Sequence, residues 1–340
     1  MNIIAFIFLA FFAPAQFFLA GLFLKPQAGS PAQEKVEGAT DEKTEESGAS
    51  FKNSVSAVSG TEAVPNSFGY LPQRKSGYAD IEIPAEASVV IDANSGTILH
   101  YDKGRKENAI ASLTKIMTAV LVMENVKNLD EIVTIDDEDV DTRAAVVGCP
   151  SSTSCISERL HPGEKLTVES LLKAMLIDSA NDAAIALGKY VGGSQKNFAA
   201  MMNKKARDLN LIDSNFCNST GLDEENCHSS AYDLARIAAY SMKYDSLWEI
   251  MRTDEDSVKS IDGKYTHELK NTDKLLGGQV PNCIGGKTGF TYNAGESLMM
   301  GATDPETGEH RVVAVILNDN NRWEDMQKLL AWTFDNYEWK

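Results

Sequence analysis

Ser112 and Lys115 stand three residues apart at the entry to an apolar run, residues 111–119. Positions i and i+3 of a helix are neighbours, so the two side chains would share one face. A serine hydroxyl is a poor nucleophile near neutral pH, and a lysine whose charge is disfavoured by burial or by another cation can accept its proton. The pair could therefore form an activated nucleophile. The same spacing recurs at Ser170 and Lys173, so one of the two pairs is expected to be ordinary helix surface.

Two further short motifs follow in the chain. The Ser-Ala-Asn motif at residues 179–181 comes after an apolar run and opens a predicted helix, so its hydroxyl and amide could project from a turn into a cleft. The Lys-Thr-Gly motif at residues 287–289 follows two more glycines, which allow a ligand to approach the backbone of a strand. Taken singly, the first motif could be a helix cap and the second a bend in an edge strand.

Together and in this order, the three motifs match the set found in penicillin-binding proteins and serine β-lactamases. The chain resembles the D-alanyl-D-alanine carboxypeptidase family, the low-molecular-mass penicillin-binding proteins. The resemblance runs over most of residues 87–318 and is carried by segments 108–118, 218–222 and 286–291. It favours Ser112 as the nucleophile, because Ser170 lies too close to Ser179 to come from a separate wall of the site.

The resemblance implies a serine acyl-transfer site that acts on peptidoglycan stem peptides ending in D-Ala-D-Ala. Ser112 would attack the penultimate carbonyl, and Lys115 would accept the serine proton. Ser179, with Lys287, would pass a proton to the leaving amine. Asn181 would bind a substrate amide and hold Lys115 in place.

The third motif would bind the end of the substrate. Thr288 would contact the terminal carboxylate near the charge of Lys287, with Gly289 in the same substrate-binding strand. The backbone N–H groups of Ser112 and Phe290 would form the oxyanion hole. The resemblance also implies β-lactams as covalent inhibitors, and it requires no metal or organic cofactor.

The chain departs from the family pattern in two places. Some family members carry an arginine in the stretch before the third motif, where this chain has Thr272, so the carboxylate contact is expected to be weaker or differently made. Several relatives continue into a second β-rich domain and a C-terminal membrane-binding helix. Since this sequence ends at Lys340, membrane attachment is expected at the N-terminus instead.

Other functions of the same site stay open. A class A β-lactamase needs a glutamate on a loop after Ser-Asp-Asn, but Ala180 replaces that aspartate and no Glu-x-x-Leu-Asn segment occurs between Asn181 and Lys287. A D,D-endopeptidase or a transpeptidase would differ only in the amine or water that enters after acylation. A non-catalytic sensor of β-lactams or muropeptides would keep the binding residues without turnover.

Composition predicts one large globular domain with appendages. The chain has 340 residues, 43% of them hydrophobic, and a formal net charge of -17, which argues against nucleic acid and against electrostatic docking on anionic lipid. The uncharged residues 3–24 are long enough for a membrane span, so residues 1–24 are interpreted as an anchor or a signal segment. Residues 25–79 have the composition of a flexible linker, and residues 80–340 form the predicted peptidase domain. The domain is expected outside the cytoplasm, anchored to the membrane or secreted if the segment is cleaved.

Hydrophobic periodicity predicts an α+β fold. Strands are expected at both ends of the domain, around a mostly helical middle that contains the Ser112 helix. Such an order indicates one antiparallel sheet built from both ends, with helices packed on it. The predicted strands are 87–93, 97–101, 284–290, 296–302 and 311–317, and the predicted helices include 168–177, 181–191, 196–209, 231–244 and 323–339.

The five cysteines lie outside any twin-pair zinc pattern. Cys149 with Cys155, and Cys217 with Cys227, would each close a short loop, which suits an extracytoplasmic protein and leaves Cys283 over. Connectivity does not follow from sequence, and five buried free thiols remain the alternative.

Overall fold

The computed structural model describes residues 70–77, 79–142, 144–149, 159–280 and 282–340. Its strands are β1 (Pro72–Arg74), β2 (Ala87–Asp92), β3 (Ile98–Asp102), β4 (Ile132–Thr134), β5 (Lys165–Thr167), β6 (Glu255–Lys259), β7 (Thr266–Lys270), β8 (Cys283–Thr291), β9 (Gly295–Thr303), β10 (Arg311–Leu317) and β11 (Tyr337–Trp339). Five of them form one antiparallel sheet in the order β3-β2-β10-β9-β8, and three two-stranded ribbons pair β1 with β11, β4 with β5 and β6 with β7. The predicted sheet from both ends of the domain is confirmed.

The helices fill the middle of the chain and its C-terminal part. They are α1 (Lys115–Asn125), α2 (Asp137–Val140), α3 (Val168–Ile177), α4 (Asn181–Gly192), α5 (Gln195–Asp208), α6 (Ala231–Ser241), α7 (Asp245–Arg252) and α8 (Arg322–Asn336). The residues expected to begin the Ser112 helix form a 3-10 turn, Ala111–Thr114, which leads directly into α1.

The sheet is a middle layer with an apolar core on each face. Along β2 the side chains alternate, so that Val89 and Ile91 join the core beneath the central helices whereas Val90 joins the core beneath α8. Because both faces are covered, β2 and β10 are buried almost throughout and read as continuous apolar runs rather than alternating ones. β8 is an edge strand of this sheet, and it carries the Lys-Thr-Gly motif.

Two predicted boundaries are wrong. The closing helix ends at Asn336 rather than at Trp339, because Tyr337–Trp339 leaves the helix and pairs with Pro72–Arg74. That partner strand lies within the predicted linker 25–79, so ordered structure begins before residue 80. The Trp339 indole donates to Asp92 at 2.8 Å, which fixes this ribbon against the central sheet.

The predicted N-terminal segment 1–24 lies outside the described residues, as does the linker up to residue 69. Within the part of the chain that the structure describes, every helix is too short or too polar to cross a bilayer.

Candidate active site

The 3-10 turn contains Ser112 and leads into α1, whose first residue is Lys115. Because Lys115 begins the helix three residues later, its Nζ lies 2.8 Å from Ser112 Oγ. Lys115 is 0% exposed, whereas Ser112 is only partly buried and so remains accessible to solvent. Sequence and structure therefore agree on the contact between Ser112 and Lys115.

Lys115 has two further partners, and both are oxygens that can only accept hydrogen bonds. Nζ lies 2.7 Å from Asn181 Oδ1 and 2.9 Å from the backbone oxygen of Thr220. Burial lowers the pKa of Lys115 well below its ordinary value, and the charge of Lys287 lowers it further. Both effects favour the neutral amine over the ammonium.

The neutral amine fits these three partners. It has two N–H donors, which the two fixed acceptors satisfy, and one lone pair. That lone pair is left for Ser112, the one partner of the three whose oxygen can also donate. The arrangement can therefore remove the serine proton when a carbonyl carbon approaches Ser112 Oγ.

The Ser-Ala-Asn motif lies in the tight turn between α3 and α4. Ser179 adopts a left-handed φ of 63°, which is uncommon for a residue other than glycine, and Asn181 is the first residue of α4. Both side chains are buried, and the structure brings Asn181 to Lys115, a contact that the family resemblance implied.

Two carboxylates that sequence reasoning missed hold this turn. Asp178 accepts from the backbone N–H groups of Gly148 at 2.7 Å and Lys270 at 2.6 Å, and Asp182 accepts from that of Val147 at 3.1 Å. Burial raises the pKa of each carboxyl to about 6. The sequence did mark these two carboxylates by position, because an aspartate stands immediately on each side of the Ser-Ala-Asn motif.

Strand β8 supplies the third motif. Lys287 is 1% exposed, and burial lowers its pKa to about 7 despite the nearby charge of Asp273. Thr288 Oγ1 lies 2.5 Å from Thr272 Oγ1, so two hydroxyls stand together at the third motif. The sequence predicts that the contact with the substrate carboxylate is made differently in this chain, and the pair of Thr272 and Thr288 is the candidate for that contact. Phe290, which follows the motif, is 57% exposed.

The strand with the third motif packs tightly on the turn with the first. A Cβ placed on Gly289 would lie 3.0 Å from the backbone oxygen of Ile110, so a larger residue would push the strand away from Ser112. Arg322, at the start of α8, donates to the carbonyls of Gly289 at 3.0 Å and Ser297 at 3.1 Å and so joins β8 to β9. Sequence reasoning missed Arg322, because nothing local marks a residue so distant in the chain.

Ser170, the serine of the second Ser-x-x-Lys pair, lies near the start of α3. Its Oγ is 2.9 Å from Thr167 Oγ1, and its N–H is capped by the same threonine. The Ser170–Lys173 pair is helix surface, as expected for one of the two matches, since Lys173 forms ion pairs with Glu169 and Asp256.

The disulfide prediction is confirmed for Cys217 and Cys227. Cys149 is also disulfide-bonded, and Cys155, its predicted partner, lies outside the described residues. Among the described cysteines Cys283 is free, and burial raises the pKa of its thiol to about 11.

Comparison with known proteins gives consistent matches. The family model for D-alanyl-D-alanine carboxypeptidase matches residues 73–321. The chain is 35% identical over 263 residues to D-alanyl-D-alanine carboxypeptidase DacF of Bacillus subtilis, covering 75% of this chain and 63% of that protein. It is 33% identical to D-alanyl-D-alanine carboxypeptidase DacD of Escherichia coli, covering 75% and 64%.

The fold has a solved counterpart. A mutant of the Streptomyces K15 DD-transpeptidase is 27% identical, with a TM-score of 0.67, and the match covers 75% of this chain and 100% of that one. The predicted fold class is thereby confirmed. The chain spans a little under two thirds of the length of the curated relatives it matches.

Proposed function

We propose that this chain, which belongs to the D-alanyl-D-alanine carboxypeptidase family, removes the terminal D-alanine from peptidoglycan stem peptides through an acyl-enzyme on Ser112. The observation that carries this proposal is the set of partners around Lys115. Two fixed acceptors take the N–H groups of a neutral amine and leave its lone pair for the nucleophile.

In the acylation step, Ser112 Oγ bonds to the carbonyl carbon of the penultimate D-alanine, and the peptide C–N bond breaks. The serine proton passes to Lys115 and then, through Ser179, to the amine of the departing D-alanine. The N–H groups of Ser112 and Phe290 stabilise the oxyanion, an interaction whose loss costs on the order of a hundredfold or more in other acyl-transfer enzymes. Water then hydrolyses the ester and regenerates the serine.

The terminal carboxylate of the substrate is bound by hydroxyls and by a nearby cation. Thr288 and Thr272 can both donate to it, because their mutual hydrogen bond is exchanged for bonds to the carboxylate. The substrate carboxylate also brings a negative charge near Lys287. In the free protein, burial disfavours the protonated form of this lysine and lowers its pKa. The protonated form of Lys287 is therefore favoured once substrate is bound.

The direct test is mass analysis of a purified pentapeptide muropeptide after incubation with residues 70–340. We expect loss of one alanine with the wild type and with Ser170→Ala, and no loss with Ser112→Ala. Faster cleavage of a cross-linked dimer than of the pentapeptide would instead support the endopeptidase alternative. Hydrolysis of penicillin with rapid turnover would support the β-lactamase.

An amidated substrate tests the carboxylate contact separately. It loses a charge-assisted hydrogen bond, worth about 1.5 to 3 kcal/mol, so its cleavage should be roughly ten- to a hundredfold slower. Equal cleavage of the acid and the amide would contradict binding through Thr288 and Lys287, without contradicting acylation at Ser112.

We further propose that the enzyme works outside the cytoplasm and is attached to the membrane through residues 1–24. The support is the uncharged stretch 3–24 and the Cys217–Cys227 disulfide, a bond typical of oxidising compartments. Removal of residues 1–69 should abolish membrane fractionation and leave activity on soluble pentapeptide unchanged. A truncated protein that still sedimented with membranes would contradict the attachment.

A further inference from the structure

The loop closed by the Cys217–Cys227 disulfide carries one of the two fixed acceptors of Lys115. The backbone oxygen of Thr220 lies 2.9 Å from Lys115 Nζ, and that of Ser219 accepts from Thr118 Oγ1 at 2.8 Å. Two successive carbonyls of the loop therefore face α1. The position of the loop decides where the N–H groups of Lys115 point, and hence where its lone pair points.

The side chain of Asn218 shapes the loop from within. Its Oδ1 accepts from the N–H groups of Thr220 at 3.1 Å and Gly221 at 2.7 Å, and its Nδ2 donates to the oxygen of Leu222 at 3.0 Å. Asn218 directly follows Cys217, so the disulfide restrains the backbone from which this side chain projects. The cross-link is thus one residue away from the group that orients the Thr220 carbonyl.

The tip of the loop is exposed and is held mainly by side-chain hydrogen bonds, among them one from Asn215 Nδ2 to the Asn226 oxygen at 2.9 Å. Residues 223–226 are exposed, and Asp223 Oδ1 accepts from Thr291 Oγ1, two residues beyond the third motif on β8, at 2.9 Å. At its base, Asn215 and His228 exchange two backbone hydrogen bonds. The disulfide lies between this base and the exposed tip, where it prevents the two arms from separating.

We propose that the Cys217–Cys227 disulfide is a positioning element of the acylation site, and that its reduction slows acylation of Ser112 while the domain stays folded. This inference rests on the proposed acyl-transfer function. A dithiol supplies the two electrons that cleave the S–S bond. Its two thiol hydrogens pass to the cysteines, and it closes to a cyclic disulfide.

The experiment uses the full chain and compares Cys217→Ser/Cys227→Ser with the matched control Cys283→Ser, which removes a free cysteine outside the loop. Acylation by penicillin is followed by intact mass, and kcat and KM are measured on the pentapeptide. We expect the double variant to be about two- to tenfold slower in acylation and in kcat, the factor that loss of one net hydrogen bond implies. KM and the Cys283→Ser control should stay at the wild-type values.

The pH profile separates positioning from a general loss of structure. The protonated form of Lys115 depends more on the Thr220 carbonyl than the neutral form does, so loss of this acceptor lowers the lysine pKa and moves the acid limb of the acylation rate to lower pH. The charged groups that face Lys115 are Lys287 on β8 and Asp182 on α4, and neither belongs to the loop. A disulfide with a purely structural role would lower the active fraction and leave the limb in place.

A double variant with the wild-type rate and acid limb would overturn the inference. If that variant does not fold, the native chain is reduced with dithiothreitol and its cysteines are mapped by alkylation. The acylation rate must then fall with alkylation of Cys217 and Cys227 in chains whose Cys149 stays unalkylated, and it must recover on reoxidation of an unalkylated sample. An unchanged rate with both residues alkylated would also overturn the inference. A wild-type chain that forms no adduct on Ser112 would refute the acyl-transfer function itself, and the inference with it.

Discussion

Replacing Gly221 with alanine should displace the loop that holds Lys115. Gly221 has a left-handed φ of 82°, and an added Cβ would lie 1.8 Å from the backbone oxygen of Ala111, the residue before Ser112. Ordinary contact begins near 3.4 Å, so the loop and the 3-10 turn must separate by about 1.6 Å. A misplacement of about 1 Å can cost on the order of a hundredfold in rate, and we expect acylation by penicillin to fall by that order.

The stability change can be worked out from the same geometry. A left-handed alanine costs about 1–2 kcal/mol and the overpacking about 1–3 kcal/mol, so the free energy of unfolding should fall by about 2–5 kcal/mol. A domain of ordinary stability, about 5–15 kcal/mol, would still be at least half folded at 25 °C even at the largest loss.

Gly193→Ala is the matched control for Gly221→Ala. Gly193 has a similar φ of 71° but nothing within 4 Å of an added Cβ, so it tests the backbone cost alone. Urea unfolding should therefore show a loss of about 1–2 kcal/mol for Gly193→Ala, with wild-type acylation. If the two variants acylated at the same rate, the close contact between the loop and the Ser112 turn would not control the site, and the reasoning would be refuted.

Three further outcomes are expected. Intact-mass analysis should show one penicillin on the wild type and on Ser170→Ala, and none on Ser112→Ala; an adduct on Ser170 would contradict the assignment. Asn181→Asp places a carboxylate beside Lys115 and raises the pKa of the lysine, so the acid limb of the acylation rate should move to higher pH by about 1 to 3 units. An acid limb that stayed in place would contradict the contact between residue 181 and Lys115. The pKa of Lys287 is lowered from 10.5 to about 7, so between these pH values the unfolded chain binds more protons than the folded one. The free energy of unfolding should therefore rise with pH across this window. The rise should be up to about 1.4 kcal/mol per pH unit steeper in the wild type than in Lys287→Met. Urea unfolding at pH 7 and pH 9 measures that difference, and equal pH dependence would refute a buried, neutralised lysine.

The sequence predicted the central sheet because its strands are unusually clear. β2 and β10 are buried on both faces and therefore appear as short, continuous runs of β-branched and other apolar residues. The ribbon of β1 and β11 could not be found in the same way. Each of its strands has three residues, too few for a period, and its aromatic residues fit the preceding helix equally well.

The spacing of residues predicted the contacts of the candidate site between residues that are close in the chain, and it did not predict those between distant residues. Ser112 and Lys115 are three residues apart, so helical geometry allows their side chains to meet, and they do. The same spacing at Ser170 and Lys173 leads to other partners. Thr220 reaches Lys115 from a loop more than a hundred residues away, through a backbone oxygen that every residue type possesses. No pattern of side chains can reveal such a partner, because the contact is made by the fold.

Lys115 depends on both local and distant contacts. A buried ammonium is costly, and burial together with the charge of Lys287 favours the neutral form of Lys115 although the charge of Asp182 opposes them. The acceptors Asn181 Oδ1 and the Thr220 carbonyl satisfy the amine without stabilising a charge as strongly as a carboxylate would. The motif therefore supplies the groups of the proposed reaction, and the loop of Thr220 together with the turn of Asn181 supplies the acceptors that suit a neutral lysine.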